Sequence, residues 1–130
     1  MIFVSVLFIV GLSIDSYAQE HSQKPVSQLI QLDRWSPDSA QILGGPPQTF
    51  TMRSGYMVLP PHKSVGRHST KTYEESLVIL AGEGEFKIRG GTTLHLHPYC
   101  VVYCPPNTEH DVTNTGTDTM RYVYIVAKAK

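Results

Sequence analysis

An all-β fold, a small barrel or sandwich, follows from three features of this sequence. Apolar and polar residues alternate over short stretches, most clearly at residues 85–89 and 92–97, and period-two alternation is the signature of a half-buried strand. Turn chemistry separates these stretches, with Gly44-Gly-Pro-Pro47, Pro60-Pro61, Gly82-Glu-Gly84, Gly90-Gly91 and Asn114-Thr-Gly-Thr-Asp118 as punctuation. The composition agrees, since 10 glycines and 9 prolines among 130 residues favour many turns over long helices.

The elements follow in order. Residues 1–18 read as a signal peptide: residues 2–14 are almost wholly apolar, and Ser16-Tyr17-Ala18 ends in the small-x-small pattern that places cleavage after Ala18. The apolar stretch is shorter than the roughly 20 residues of a membrane-spanning helix. An uncleaved anchor and a buried strand are the other readings, and no Lys or Arg stands near Met1. The expectation is a secreted or periplasmic mature chain with no stable membrane span. Residues 19–42 are polar and read as a linker, firming into a short strand or turn near Leu29-Ile-Gln-Leu32, with the folded domain at residues 43–127.

Within the domain, residues 49–53 and 56–59 alternate as two strands split at Ser54-Gly55, and Pro60-Pro61 closes the second. Residues 76–81 form a β-branched apolar run turned by Gly82-Glu-Gly84. Residues 85–89 and 92–97 make a hairpin about Gly90-Gly91, a pair that accepts positive φ. Residues 100–104, 111–113 and 120–127 complete the set. Cys100 and Cys104 are the only cysteines. On an extended strand their Cα atoms would lie about 13 Å apart, beyond the roughly 7 Å a disulfide spans, so no internal bridge is expected.

Length and charge bound the function. A chain of 130 residues holds one domain with one modest core. Basic and acidic residues balance at 11 each, without a basic stripe. That argues against a nucleic-acid partner, which needs a positive footprint to release counterions.

Two frameworks carry the chemistry. One runs from His68 through Glu75 to Gly82; the other runs from Pro105 through His110 to Asn114. Together they resemble the cupins, in the small single-domain form called cupin type 2, and the resemblance implies a jelly-roll-like antiparallel β-barrel. That family's first motif is Gly, five residues, His-x-His, three or four residues, Glu, six residues, Gly; its second is Gly, five residues, Pro-x-Gly, two residues, His, three residues, Asn. His68, Glu75, Gly82, Pro105, His110 and Asn114 stand at matching positions, and the resemblance spans residues 43–127. Thr70 replaces the second histidine, Tyr99 replaces the glycine that opens the second motif, and Asn107 replaces its internal glycine. Asn tolerates left-handed backbone better than most residues. Tyr does not, so a differently built turn is expected at Tyr99, aided by Pro98.

The resemblance implies a metal site of His68, Glu75 and His110, with one imidazole of the usual set lost at Thr70. Two imidazoles and a carboxylate suit Fe, Mn or Zn and leave positions open for water or substrate. The Thr70 hydroxyl is a poor ligand, but it can hold a metal-bound water. The competing reading is a satisfied polar cluster with no metal.

The remaining candidates read more simply. His62 is a solvent-facing loop residue. His95 and His97 share one face of a strand opposite Leu94 and Leu96, with the polar side outward. The glycine pairs lack the following helix that a phosphate cradle requires. Ser54, Ser64 and Ser69 sit in no nucleophile elbow, and Asn114 reads as a turn residue bonding its own backbone.

Two functions stay open at this stage. One is a metal-dependent oxygenase, isomerase or lyase acting on a small organic molecule; no catalytic residue is assigned. The other is a metal-free, non-catalytic module for a small ligand or sugar, with a purely structural dimeric accessory protein as a third. A homodimer is expected through sheet edges, because the apolar strand at residues 120–127 would be hazardous if left bare.

Overall fold

The computed structural model describes residues 24–130; the expected signal peptide and its cleavage point lie outside them. Eight strands and no helix make up the described residues: β1 (Ala40–Gly44), β2 (Arg53–Leu59), β3 (Tyr73–Ala81), β4 (Gly84–Ile88), β5 (Thr93–Leu96), β6 (Val101–Cys104), β7 (His110–Asn114) and β8 (Met120–Lys128). They form a five-stranded sheet in the order β1-β2-β8-β3-β6 and a three-stranded sheet in the order β5-β4-β7. Every strand pair is antiparallel.

The loop between β2 and β3 extends the smaller sheet. Val65 N–H donates to Val112 O at 3.0 Å, and His68 and His110 exchange backbone bonds at 2.9 and 2.8 Å. The free edge of β7 is thereby covered, and His68 is fixed beside His110.

Register decides what the larger sheet points inward. Arg53, Val126, Glu75 and Cys104 lie in one row across β2, β8, β3 and β6. The next rows are Gly55, Tyr124, Leu77 and Val102, then Met57, Tyr122 and Ile79. Directly opposed residues share a face of the sheet, so the polar row caps one end of the barrel. Beneath it, Leu77, Ile79, Phe86, Val112 and Met120 are almost wholly buried and close the other end.

Four expectations are corrected. The segment near Leu29 forms no strand and leaves Leu29 89% exposed, whereas β1 reaches back into the segment read as linker. Residues 49–53 are not a separate strand, and β2 runs unbroken through Ser54-Gly55. Gly55 is there for space, because a Cβ would strike the Tyr124 ring, a common reason for glycine inside a strand. The strand β8 lies between β2 and β3 rather than at an edge, so the exposure argument for a dimer loses its ground. Finally, Tyr99 takes φ 66°, the glycine conformation itself. Its side chain is 95% exposed and nothing crowds it, so the turn is built as with glycine.

Cys104 is buried and Cys100 half-buried, and both are free thiols. Among the described residues no helix is long and apolar enough to cross a membrane.

Candidate metal centre

His110 opens β7 and is 1% exposed. Phe86 of β4 stacks on its imidazole, with ring centroids 4.6 Å apart and planes at 19°. Glu75 enters from the inner face of β3 and is 7% exposed. His68 stands at the solvent side, its ring centroid 4.5 Å from that of His110. One ligand atom from each of the three lies within 4.8 Å of the others. The trio implied by the sequence frameworks is therefore brought together.

Each imidazole is oriented by a backbone carbonyl. His110 Nδ1 lies 3.0 Å from Thr108 O, and His68 Nδ1 lies 2.8 Å from Gly66 O. A carbonyl only accepts, so Nδ1 carries the proton and each Nε2 is left with a free lone pair. His110 Nε2 then faces Glu75 Oε2 at 3.0 Å, and neither atom has a neutral hydrogen-bond partner although both are buried. Two acceptors at that separation repel unless a proton or a cation lies between them. The donor set of two imidazoles and a carboxylate matches a divalent transition metal, so the residues present fit such an ion.

Without metal, a proton fills the gap. Burial, the largest influence, disfavours the His110 imidazolium, but the bonds to Glu75 and Thr108 and the charges of Glu75 and Asp111 outweigh it. The net result holds His110 above the ordinary imidazole range. Cys104 Sγ lies 3.4 Å from His110 Nδ1, behind the ring rather than toward the centre. Burial, reinforced by Glu75, pushes its thiol up, which keeps it protonated and a poor ligand.

Beside the centre is a cavity of about 410 Å³, lined by His68, Thr70 and Glu75. Its walls are apolar at Met57, Val65, Val112 and Val126, with Tyr122, Tyr124 and Arg53 completing them. Thr70 Oγ1 donates to Tyr73 O at 2.7 Å. Its proton is thus committed to the backbone, and only its lone pairs face a neighbour. Burial, with Glu75 nearby, holds the Tyr122 phenol far above its ordinary range, so it is a neutral donor at working pH.

Other candidates lie elsewhere. His95 and His97 are exposed on and just after β5 and Leu96 is buried, as the alternation predicts, but Leu94 on the same face as Leu96 is 37% exposed. His62 is exposed in a loop with φ 59°. Asn114 is a turn residue, its Oδ1 accepting from Gly116 N at 2.9 Å, but it also ties β7 to Leu59 O at 2.8 Å. Sequence reasoning missed Arg53, Tyr122 and Tyr124 as cavity residues. A strand at residues 120–127 puts Tyr122, Tyr124 and Val126 on one face, a signal that was available; the inward direction of that face was not.

The comparisons agree with this fold. A family model described as a cupin domain matches residues 55–126. Among curated proteins none gives a significant match. A Cupin 2 conserved barrel domain protein from Salinispora arenicola superposes with TM-score 0.65 at 21% identity, over 80% of this chain and 91% of that one. A cupin protein from Bacteroides fragilis gives TM-score 0.64 at 23% identity, over 78% and 84%. The cupin domain of Cnp3 from Schizosaccharomyces pombe gives 0.63 at 21%, over 70% of this chain but only 64% of that one. Identity this low speaks for fold alone, but the family match covers more than half of the sequence, and with the two frameworks and the eight-stranded barrel it makes this chain a member of the cupin family.

Proposed function

We propose that this cupin holds a divalent transition metal, Fe(II), Mn(II) or Zn(II), on His68, Glu75 and His110, and takes a small organic molecule in the adjoining cavity. The observation that carries the reading is the buried Glu75 Oε2 and His110 Nε2, 3.0 Å apart and otherwise unpartnered. When bound, such an ion supplies Lewis acidity or redox chemistry to a molecule in its open positions. The chain's own residues do the rest. Thr108 and Gly66 hold the two imidazoles in one tautomer. Met57, Val65, Val112 and Val126 exclude water from the cavity wall, and the Tyr122 phenol is a neutral hydrogen-bond donor within it.

The test is metal analysis by mass spectrometry of purified protein after loading with each ion, repeated on His68→Ala and His110→Ala. Stoichiometric metal in the wild type and its loss in both variants supports the reading. A wild type that stays empty after loading favours the metal-free ligand-binding module instead.

Two further parts of the reading concern context. Export predicts a mature N-terminus at Gln19, checked by sequencing the protein from the extracellular or periplasmic fraction. A homodimer would use the edge strand β6, where Val101 is 66% and Tyr103 61% exposed. A monomeric mass at micromolar concentration removes that part.

A further inference from the structure

We infer that Arg53 anchors a carboxylate in this cavity, so that the small molecule it takes is an organic acid with a compact apolar body. The inference rests on the reading that the cavity binds a small organic molecule, and it names that molecule's class. Arg53 opens β2 in the same inward row as Val126 and Glu75. Two strand spacings put its Cα about 10 Å from that of Glu75. Arg53 and two of the trio, His68 and Glu75, therefore line one cavity.

The state of Arg53 sets it apart from the other described arginines near the barrel. Arg67 and Arg89 pair with Glu109, and Arg121 donates to Ser36 O and Tyr56 Oη. Arg53 is exposed, and its guanidinium makes no ion pair and no hydrogen bond among the described residues, but two neighbours position it. Its Cζ lies 5.8 Å from the centre of the Tyr73 ring, within the range of a cation–π contact. Beneath it, Gly45 takes φ 91°, and a Cβ there would come within 3.0 Å of Arg53 Nε. Glycine leaves the berth that the guanidinium occupies. A positioned, unpaired guanidinium presents a planar fork of donors that matches a carboxylate with two parallel bonds.

The rest of the cavity narrows the class. Glu75 Oε2 is turned to His110 Nε2, 3.0 Å away, whereas the Arg53 guanidinium has no counter-charge among the described residues, so it is the open charged partner that the cavity offers an anion. The walls between the two charged ends are Met57, Val65, Val112 and Val126 with two phenols. A sugar would find few hydrogen-bond partners on such walls. A carboxylate with an aliphatic or aromatic body fits both the charge and the surface.

The test is titration calorimetry on the intact protein, metal-loaded and metal-stripped, with benzoate and hexanoate as probes and benzamide as the neutral control. At least one acid should bind, with benzamide about tenfold weaker or worse, the scale of one charge-assisted pair. Arg53→Met should weaken acid binding about tenfold, and Arg53→Lys should recover part of it because the charge returns without the fork. Metal content and thermal midpoint of each variant are read alongside, so a folding defect is seen directly. Arg53-dependent acid binding in stripped protein supports the inference even where the metal reading fails. Binding by neither acid, equal binding of benzamide, or an unchanged affinity in a folded Arg53→Met protein overturns it.

Discussion

His110 Nε2 and Glu75 Oε2 sit 3.0 Å apart in the barrel interior, and no other polar atom satisfies either. Everything at the centre turns on what lies between them. Glu75→Gln separates the candidates, because the amide can donate to His110 Nε2 while supplying no charge to a metal. Metal affinity should fall by roughly two orders of magnitude or more, the upper end of what even outlying metal-site substitutions cost. Above the folded His110 pKa, where the ring is neutral, the stability of the metal-free fold should hardly change. Glu75→Ala instead leaves the ring nitrogen buried and unpaired and should cost about 1–3 kcal/mol in urea unfolding. Equal metal content in wild type and Glu75→Gln would remove Glu75 from the ligand set.

The same pair sets a pH dependence. His110 is held above its ordinary value of 6.5 in the folded metal-free protein. A raised pKa means the fold prefers the protonated ring. That stabilisation is complete below the unfolded value and is lost as pH rises through the folded one. Metal-free protein should therefore unfold at lower temperature at pH 8 than at pH 6. Metal-loaded protein should show the opposite trend, since protons compete with the ion for the same nitrogen. Thermal scans of both forms across this range check the crossing.

Asn114 holds the far end of β7. It is fully buried, with Nδ2 donating to Leu59 O and Asp118 O at 2.8 Å each and Oδ1 accepting from Gly116 N. Asn114→Ala strands these groups and should cost about 3 kcal/mol. Since His110 stands at the other end of the strand, metal content in the surviving folded fraction should stay at the wild-type level. Urea unfolding and metal analysis on one preparation test both halves.

Tyr99 takes φ 66° with its ring in solvent. Left-handed backbone costs a side chain about 1–2 kcal/mol, and glycine gives back about 0.5–1 through its looser unfolded chain. Tyr99→Gly should therefore stabilise the protein slightly, by about 0.5–1 kcal/mol. Tyr99→Val should destabilise it, because a β-branched residue suits that conformation worst. Thermal midpoints falling in the reverse order would show that the exposed ring does something the backbone does not explain.

That turn also shows where the sequence could and could not be read. Local alternation and glycine pairs give away β4 and β5, because period two needs no knowledge of neighbours, and a long apolar run gives away β8. The resemblance of the two frameworks to the cupin motifs is what implies His68, Glu75 and His110. Sequence alone misplaced Tyr99, since side-chain preference argued against a backbone that topology imposes. His62, with φ 59°, makes the same point, whereas Asn107, with φ 57°, takes the left-handed backbone that Asn tolerates. All three stand where the family motifs put glycine, and the chain keeps the bend after losing the residue suited to it. β1 was hidden because it pairs only with β2 and has little apolar pattern of its own. Arg53 was hidden for a different reason. Its place beside the centre depends on the registers of β2, β8 and β3, which join residues far apart in the chain.

Thr70 is where the family's second histidine would stand, and it lines the cavity with His68 and Glu75. Thr70→Val removes only the bond to Tyr73 O. It should cost about 1 kcal/mol of stability and leave metal binding as it was. Thr70→His loses the same bond but adds a third imidazole facing the cavity. It should tighten zinc binding by about tenfold or more, because each added nitrogen ligand replaces a water in the ion's shell. Competition with a chromophoric chelator measures this directly. A tightened Thr70→His beside an unaltered Thr70→Val would mean that the natural chain keeps a three-residue site whose remaining positions belong to solvent or ligand. An unchanged affinity in Thr70→His would mean that this backbone does not aim position 70 at the ion, and the site would then owe its openness to the loop carrying His68 rather than to the identity of one residue.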